Sequence, residues 1–453
     1  MCAILMVIER TIAMIINLTI KNWMSFRNET NFSLVATEER RLKDRLPKIR
    51  KSPVLYVSPV AVVYGGNASG KSNLFRLFAF LKAMVCKPLA SEEKQIPLEP
   101  FALSDKTSEQ TTGISISFLA ADDKIYTLKL SLSASAVLEE SLSIVKLNGE
   151  TLLYSRKNNN VKLLSSTLVK DKDAQAYARI IAKNQLFIGI AGTRIPSLKD
   201  PYQWFRKQLI LISTGTSFHG VFDMLKNEPT DIDALAHFLN QLDTGIYKLG
   251  MEESSFDVFP RSIKEFDVWK KMDNGKCTEL NFDGRRYLIS KQNDQLTVEK
   301  LVSYHKKADG NFEKFNMSQE SDGSLRLLDI LPAFIDLERK DSNKVYIIDE
   351  LDRSWHYALS RRLLGTYLSQ CSRSTRAQLL FSTHDLMLMD QSLFRRDEMW
   401  IAERNEFGES SLFSLANCGI RFDKDIRKLY LQGALGGIPN LAHFGTLHQK
   451  ENS

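Results

Sequence analysis

"VVYGGNASGKSN", residues 62–73, decides the fold. The apolar run Val60 to Tyr64 reads as a strand buried on both faces, as in a parallel sheet, and Gly65 breaks it abruptly. Gly65, Gly70, Lys71 and Ser72 then fit the spacing GxxxxGK[ST]. Glycine at these places lets backbone N–H groups converge on an anion with no Cβ in the way, and a helix beginning near Lys71 adds the positive end of its dipole. Lys71 would reach the outer phosphates of a nucleotide and Ser72 would offer its hydroxyl to Mg²⁺. Asn67 and Asn73, inside and just behind the turn, complete the candidate nucleotide contacts.

The residues on either side agree with a phosphate cradle. Behind the loop, "NLFRLFAFLKAMV" sets Leu74, Leu77, Phe78 and Leu81 on one helical face. Ahead of it, "IINLTIKNWMSFRNETNFSL" alternates in strand fashion from Ile15, with turn residues at Arg27 to Glu29. Met14 looks like a natural beginning, so residues 1–13 are expected to be an N-terminal extension. Residues 113–135 read as a hairpin around Ala121 to Lys124. The middle of the chain holds helical stretches such as "AQAYARIIAK" and "DIDALAHFLNQL", broken by Pro196, Pro201, Pro229 and Pro260. No heptad is sustained there, which excludes a long coiled coil.

Composition bounds the class. The chain has 453 residues, 43% apolar and 25% charged, as in a globular protein of about two or three structural units. Its five cysteines are scattered, odd in number and free of CxxC spacing, which points to reduced thiols in the cytoplasm. Glu9 and Arg10 interrupt the apolar start, and no segment approaches a membrane span. The net charge of +7 permits nucleic-acid contact without demanding it. The densest basic run, "RRLKDRLPKIRKS" at 40–52, is expected to be a solvated connector, with a contact to nucleic acid or a partner protein as the other reading.

From residue 317 a second group of motifs appears. "SQESDGSLRLLDILPAFIDLERK" is a polar turn leading into an amphipathic helix. "KVYIIDELDRSWH" is an apolar strand ending in two acids, and "AQLLFSTHD" is another buried strand, ending in His384. Two acids at the end of a buried strand are expensive unless a cation pairs with them, and Mg-nucleotide supplies one. Asp349 would coordinate Mg²⁺ and Glu350 would act as general base on the attacking water.

"SDGS", "IIDE" and "STHD", in that order after "GGNASGKSNL", resemble the signature, Walker B and switch-histidine motifs of ABC-type ATPases. The resemblance is to the SMC- and Rad50-like branch, and within it to the AAA-15/AAA-21 ATP-binding proteins of prokaryotic defence and abortive-infection loci. It runs from about Ile15 to Pro439. The resemblance implies an α/β, two-lobed ABC-type P-loop ATPase head with a mostly helical middle insertion. Lobe I would span 14–150, the insertion 151–310 and lobe II 311–453. It also implies that Ser321 and Gly323 touch the γ-phosphate of a nucleotide held by an opposite subunit, so that a homodimer sandwiches two ATP. His384 would sense that phosphate. His356 stands where many relatives carry an Asp, Leu435 to Gly437 depart from the usual tail wording, and Gln185 is the candidate for the glutamine that contacts Mg²⁺.

Three functions are weighed. A self-contained nuclease needs a second metal-binding set, and the DKD at Asp423 to Asp425 has no buried strand before it. A regulatory ATPase and scaffold that controls a separately encoded effector, such as a nuclease, fits a complete ATP site with no second catalytic group. A DNA-repair clamp of the RecF or Rad50 type, binding DNA directly, is the alternative, and the basic run would serve it.

Overall fold

The computed structural model describes residues 13–51, 53–93, 95–104, 106–107, 110–213, 221, 229–421 and 424–437. The proposed N-terminal extension, Asp423 and Pro439 therefore lie wholly or almost wholly outside the described residues. The chain divides into two compact units. One takes in the chain as far as Leu211, then Lys340–Leu351 and everything from Leu364 on; the other comprises Ile212–Arg339 and Asp352–Leu363.

Two large sheets and the small antiparallel pair of Lys48–Lys51 and Val54–Tyr56 build the first unit. The larger is antiparallel and runs in the order Asn160–Leu163, Gly149–Lys157, Val137–Lys146, Ile125–Leu132, Thr112–Leu119, Met14–Lys21, Thr30–Ser33. The alternation read from Ile15 becomes the pairing of Met14–Lys21 with Thr30–Ser33, with Leu18 opposite Phe32. The hairpin turns where expected, with Ala120 N–H donating to Lys124 O and Asp123 at φ +61°. Within this sheet Glu140 and Arg156 are both buried and face each other at 3.7 Å. Glu140 also accepts from the backbone N–H groups of Phe187 and Ile188, so it caps the short helix Phe187–Ala191.

The second sheet is the one the phosphate loop belongs to. Its order is Leu209–Ile212, Val345–Ile348, Gln378–Ser382, Val60–Tyr64, Met399–Arg404, Ser410–Ser414. Val60–Tyr64 is buried at every position and lies parallel to both neighbours. Side chains that are apolar but for one hydroxyl let it sit between layers: the two flanking strands pair its backbone, and the Tyr64 hydroxyl donates to Leu388 O at 2.8 Å. The helix Lys71–Cys86 buries Leu74, Leu77, Phe78 and Leu81, the face read from the sequence.

The second unit holds an antiparallel sheet of Ile246–Ser254, Gln295–Lys306, Arg285–Gln292 and Cys277–Phe282, with Phe312–Asn316 on Gln295–Lys306. The middle of the chain, expected to be mainly helical, carries helices between Ser166 and Gln208 and over Pro229–Gln241, strands at Gly149–Lys157, Asn160–Leu163 and Leu209–Ile212, and from Ile246 strands interrupted by the short helices Phe256–Val258, Arg261–Lys264 and Asp267–Lys270. The cause is local. Asp283 and Gly284, at φ +51° and +66°, and Asn293 and Asp294, at +50° and +62°, turn the chain into two tight hairpins. Phe259, Trp269, Tyr287 and Ile289 form a small core on this sheet, with the Phe259 and Tyr287 rings 4.9 Å apart.

Candidate functional site

The phosphate loop leaves its strand in a conformation that only its own residues permit. Gly65 has φ +151° and Gly70 φ +106°. A Cβ on Gly65 would stand 2.3 Å from Ala402 O, and one on Gly70 would stand 2.4 Å from Ser410 Oγ. Ser410 holds the loop from outside: its N–H donates to Ser25 O at 2.7 Å and its hydroxyl to Ser69 O at 2.8 Å. Asn73 extends this brace, its side-chain amide donating to Ser25 Oγ at 2.8 Å and its carbonyl accepting from the Trp23 indole. Neither Ser25 nor Ser410 stands out in sequence, since each is a serine among ordinary loop and strand residues.

What the loop leaves open is backbone donors. The N–H groups of Asn67, Ala68, Gly70 and Ser72 have no acceptor among the described residues. Lys71 is buried at 5% exposure, with Nζ donating to Gly65 O at 2.7 Å and Gly66 O at 2.9 Å. Gly70 is buried, Ser72 half-buried and Asn67 and Ala68 exposed, and open backbone donors within six residues of chain, beside an ammonium, fit an anion of several oxygens, such as a polyphosphate.

Both acids stand at the carboxyl end of one strand of the same sheet, Val345–Ile348, with Gln378–Ser382 between it and Val60–Tyr64. Asp349 follows the fully buried strand Val345–Ile348 and accepts from the Ser382 hydroxyl at 2.6 Å. The same Ser382 oxygen accepts the N–H of Glu350 at 2.8 Å. Glu350 takes φ +50°, a left-handed conformation rare in a residue with a side chain. Its carboxylate then lies 3.8 Å from His384 Nε2, and both side chains are partly open to solvent. Ser382, the last residue of its strand, thus fixes both acids. Its place inside the "STHD" stretch is the one signal that could have found it.

No cluster of three or more His, Cys, Asp or Glu side chains fit to hold a metal occurs among the described residues. Mg²⁺ does not need one, because it takes one or two protein oxygens and completes its shell with phosphates and water. The Asp349 carboxylate and the Ser72 hydroxyl are donors of the right hard-oxygen kind.

In the second unit, Ser321 caps the helix Asp322–Glu338, its Oγ accepting from Ser324 N–H at 3.1 Å. A Cβ on Gly323 would meet Ser354 O at 2.7 Å, and Ser354 itself has φ +71°. His356 is spent locally, its ring nitrogen accepting from Ala358 N–H at 3.3 Å. In the first unit, Gln185 is tied to Leu89 O and Ala182 N–H, so its amide is engaged away from the phosphate loop's own residues. The basic run 40–52 is less solvated than expected. Arg45 is buried against Glu398, and Arg41 pairs with Glu39.

A Walker-type loop, two acids and a histidine on one sheet with parallel central strands define a P-loop ATPase. A family model described as "AAA domain, putative AbiEii toxin, Type IV TA system" matches residues 60–390, and the chain belongs to this AAA_21 family of ATPases. Among solved structures the chain is similar to the SMC head domain from Thermotoga maritima, at 11% identity and TM-score 0.36, over 88% of this chain and 98% of that one. It is also similar to an SMC head bound to the C-terminal winged-helix domain of ScpA, at 14% identity and TM-score 0.37, over 88% and 97%. A third is the recombination mediator RecF with ATP, at 11% identity and TM-score 0.33, over 83% and 94%. No curated protein matches the chain. None of the helices among the described residues is long and apolar enough to cross a membrane.

Proposed function

We propose that this ATPase is the ATP-binding regulatory and scaffold subunit of a prokaryotic defence system, dimerising around ATP and controlling a separately encoded effector such as a nuclease. The observation behind the chemistry is the Ser382-centred arrangement of Asp349 and Glu350, with His384 against Glu350. In this reading the open amides of the phosphate loop and Lys71 bind the phosphates. Ser72 and Asp349 hold Mg²⁺, which neutralises charge on the phosphates when bound. Glu350 takes the proton from the attacking water, and its partial exposure gives that water access. Ser321 and Gly323 reach the nucleotide of a second copy, as the resemblance of "SDGS" to the ABC signature motif implies. The family's toxin description supports the defence setting.

The DNA-clamp alternative drew on the basic run, whose Arg41 and Arg45 are engaged in internal pairs; it keeps the exposed Lys43 and Arg40. Expression of the chain with its neighbouring genes, followed by pulldown and an ATP-dependent sizing experiment, separates the readings. Co-purification of an effector and an ATP-dependent dimer support the proposal. Recovery of the lone chain, retained on DNA in the presence of ATP with a steep salt dependence, favours the alternative.

A further inference from the structure

The helix Ile426–Leu431 ends in a turn that carries the chain back to the phosphate loop. Gly437 O accepts the N–H of Gly66 at 3.0 Å, and the buried Tyr430 hydroxyl donates to the same Gly437 oxygen at 2.8 Å. Gly436 and Gly437 have φ +68° and +72°. A Cβ on Gly437 would stand 2.6 Å from Ile401 Cγ2, and one on Gly436 2.9 Å from the Glu403 carboxylate. Ile401 and Glu403 belong to the strand Met399–Arg404, which lies beside the phosphate-loop strand. The two glycines therefore allow the tail to lie flat against that strand and to reach the loop.

The consequence concerns which way the loop's donors face. Gly66 is the first residue after the break at Gly65. Its N–H is held by Gly437 O, and the following N–H groups of Asn67 and Ala68 have no acceptor among the described residues. We infer that Tyr430 and Gly437 are positioning residues of the nucleotide site: through the Gly437 carbonyl, the tail sets the phosphate loop in its anion-accepting shape before nucleotide arrives. This rests on the reading of the loop as the ATP site. A donor–acceptor pair of this kind is worth about 3- to 10-fold in an equilibrium. Linkage makes the effect reciprocal, so bound nucleotide steadies the tail.

The test uses the full-length chain with Mg-ATP. Tyr430→Phe keeps the ring and removes the hydroxyl; Gly437→Ala adds the methyl that meets Ile401. Each is expected to raise the ATP KM about 3- to 10-fold with kcat within about twofold, since the lost hydrogen bond acts on binding. In the wild type, a non-hydrolysable ATP analogue is expected to slow amide hydrogen exchange over Gly433–Gly437, and to leave it unchanged in Lys71→Ala. If Gly437→Ala does not fold, Tyr430→Phe and the exchange measurement decide. Wild-type KM in Tyr430→Phe together with exchange indifferent to nucleotide overturns the inference, provided Lys71→Ala has lost ATP binding. Lys71→Ala binding ATP like the wild type overturns the ATP-site reading itself.

Discussion

At the scale of single residues, the proposed chemistry rests on Ser382 and Glu350. If Glu350 is the base, Glu350→Gln keeps the shape and removes it, and hydrolysis is expected to fall about 100-fold or more while ATP binding persists, as read by single-turnover assays beside equilibrium binding. A wild-type rate in that variant removes Glu350 from the role. A second residue speaks to pH. Burial pushes the Glu398 carboxyl up to about 7, against the opposing pull of Arg45. An acid whose folded pKa is raised binds its proton more tightly when folded. Its contribution to stability is therefore full below its ordinary value of 4.5 and is lost as pH rises through about 7. The urea midpoint of the wild type is expected to fall between pH 5 and 8 by more than that of Glu398→Gln, while equal falls in the two proteins exclude the titration of this group. Cys371, held up at about 12 by burial, should resist alkylation at pH 8 until the protein unfolds, as mass spectrometry of labelled peptides would show.

Among elements, the phosphate loop leaves least freedom. Gly70→Ala places a methyl against the Ser410 and Ser25 hydroxyls at an unfavourable φ, so isothermal titration is expected to show ATP binding lost while the circular dichroism of the fold remains. Retained affinity would mean that the loop relaxes around the methyl. The same element was also the most legible in sequence. Val60–Tyr64, Val345–Ile348 and Gln378–Ser382 are short, almost wholly apolar and bounded by turn or polar residues, a pattern with few other structural solutions. The strands of Cys277–Phe282 and Gln295–Lys306 were not legible, because their side chains are mostly half exposed and mix Lys, Glu and Thr with apolar residues. Only their two-residue turns, Asp283-Gly284 and Asn293-Asp294, betray them. Lys71, Asp349, Glu350 and His384 could be picked out by motif, but Ser25 and Ser410, which brace the phosphate loop, could not, because their bracing is a property of contacts across more than 300 positions, such as Ser410 to Ser69 at a separation of 341.

For the molecule as a whole, the prediction concerns copies. If the signature of one subunit completes the ATP site of another, Lys71→Ala and Ser321→Ala are each inactive alone, yet a mixture forms one intact site per heterodimer. ATPase activity is then expected to return on mixing, measured by phosphate release. Mixtures as silent as the separate variants would exclude a shared site.

The central strand Val60–Tyr64 is flanked on both sides by strands that follow it by more than 300 positions, Gln378–Ser382 and Met399–Arg404. During synthesis that strand waits with both edges bare until most of the polypeptide has emerged from the ribosome. A prematurely terminated product would hold the lysine and its glycines but no scaffold for them. Such fragments should be insoluble and unable to sequester ATP, so a translation error in this protein yields debris for proteases rather than a competing, half-working enzyme.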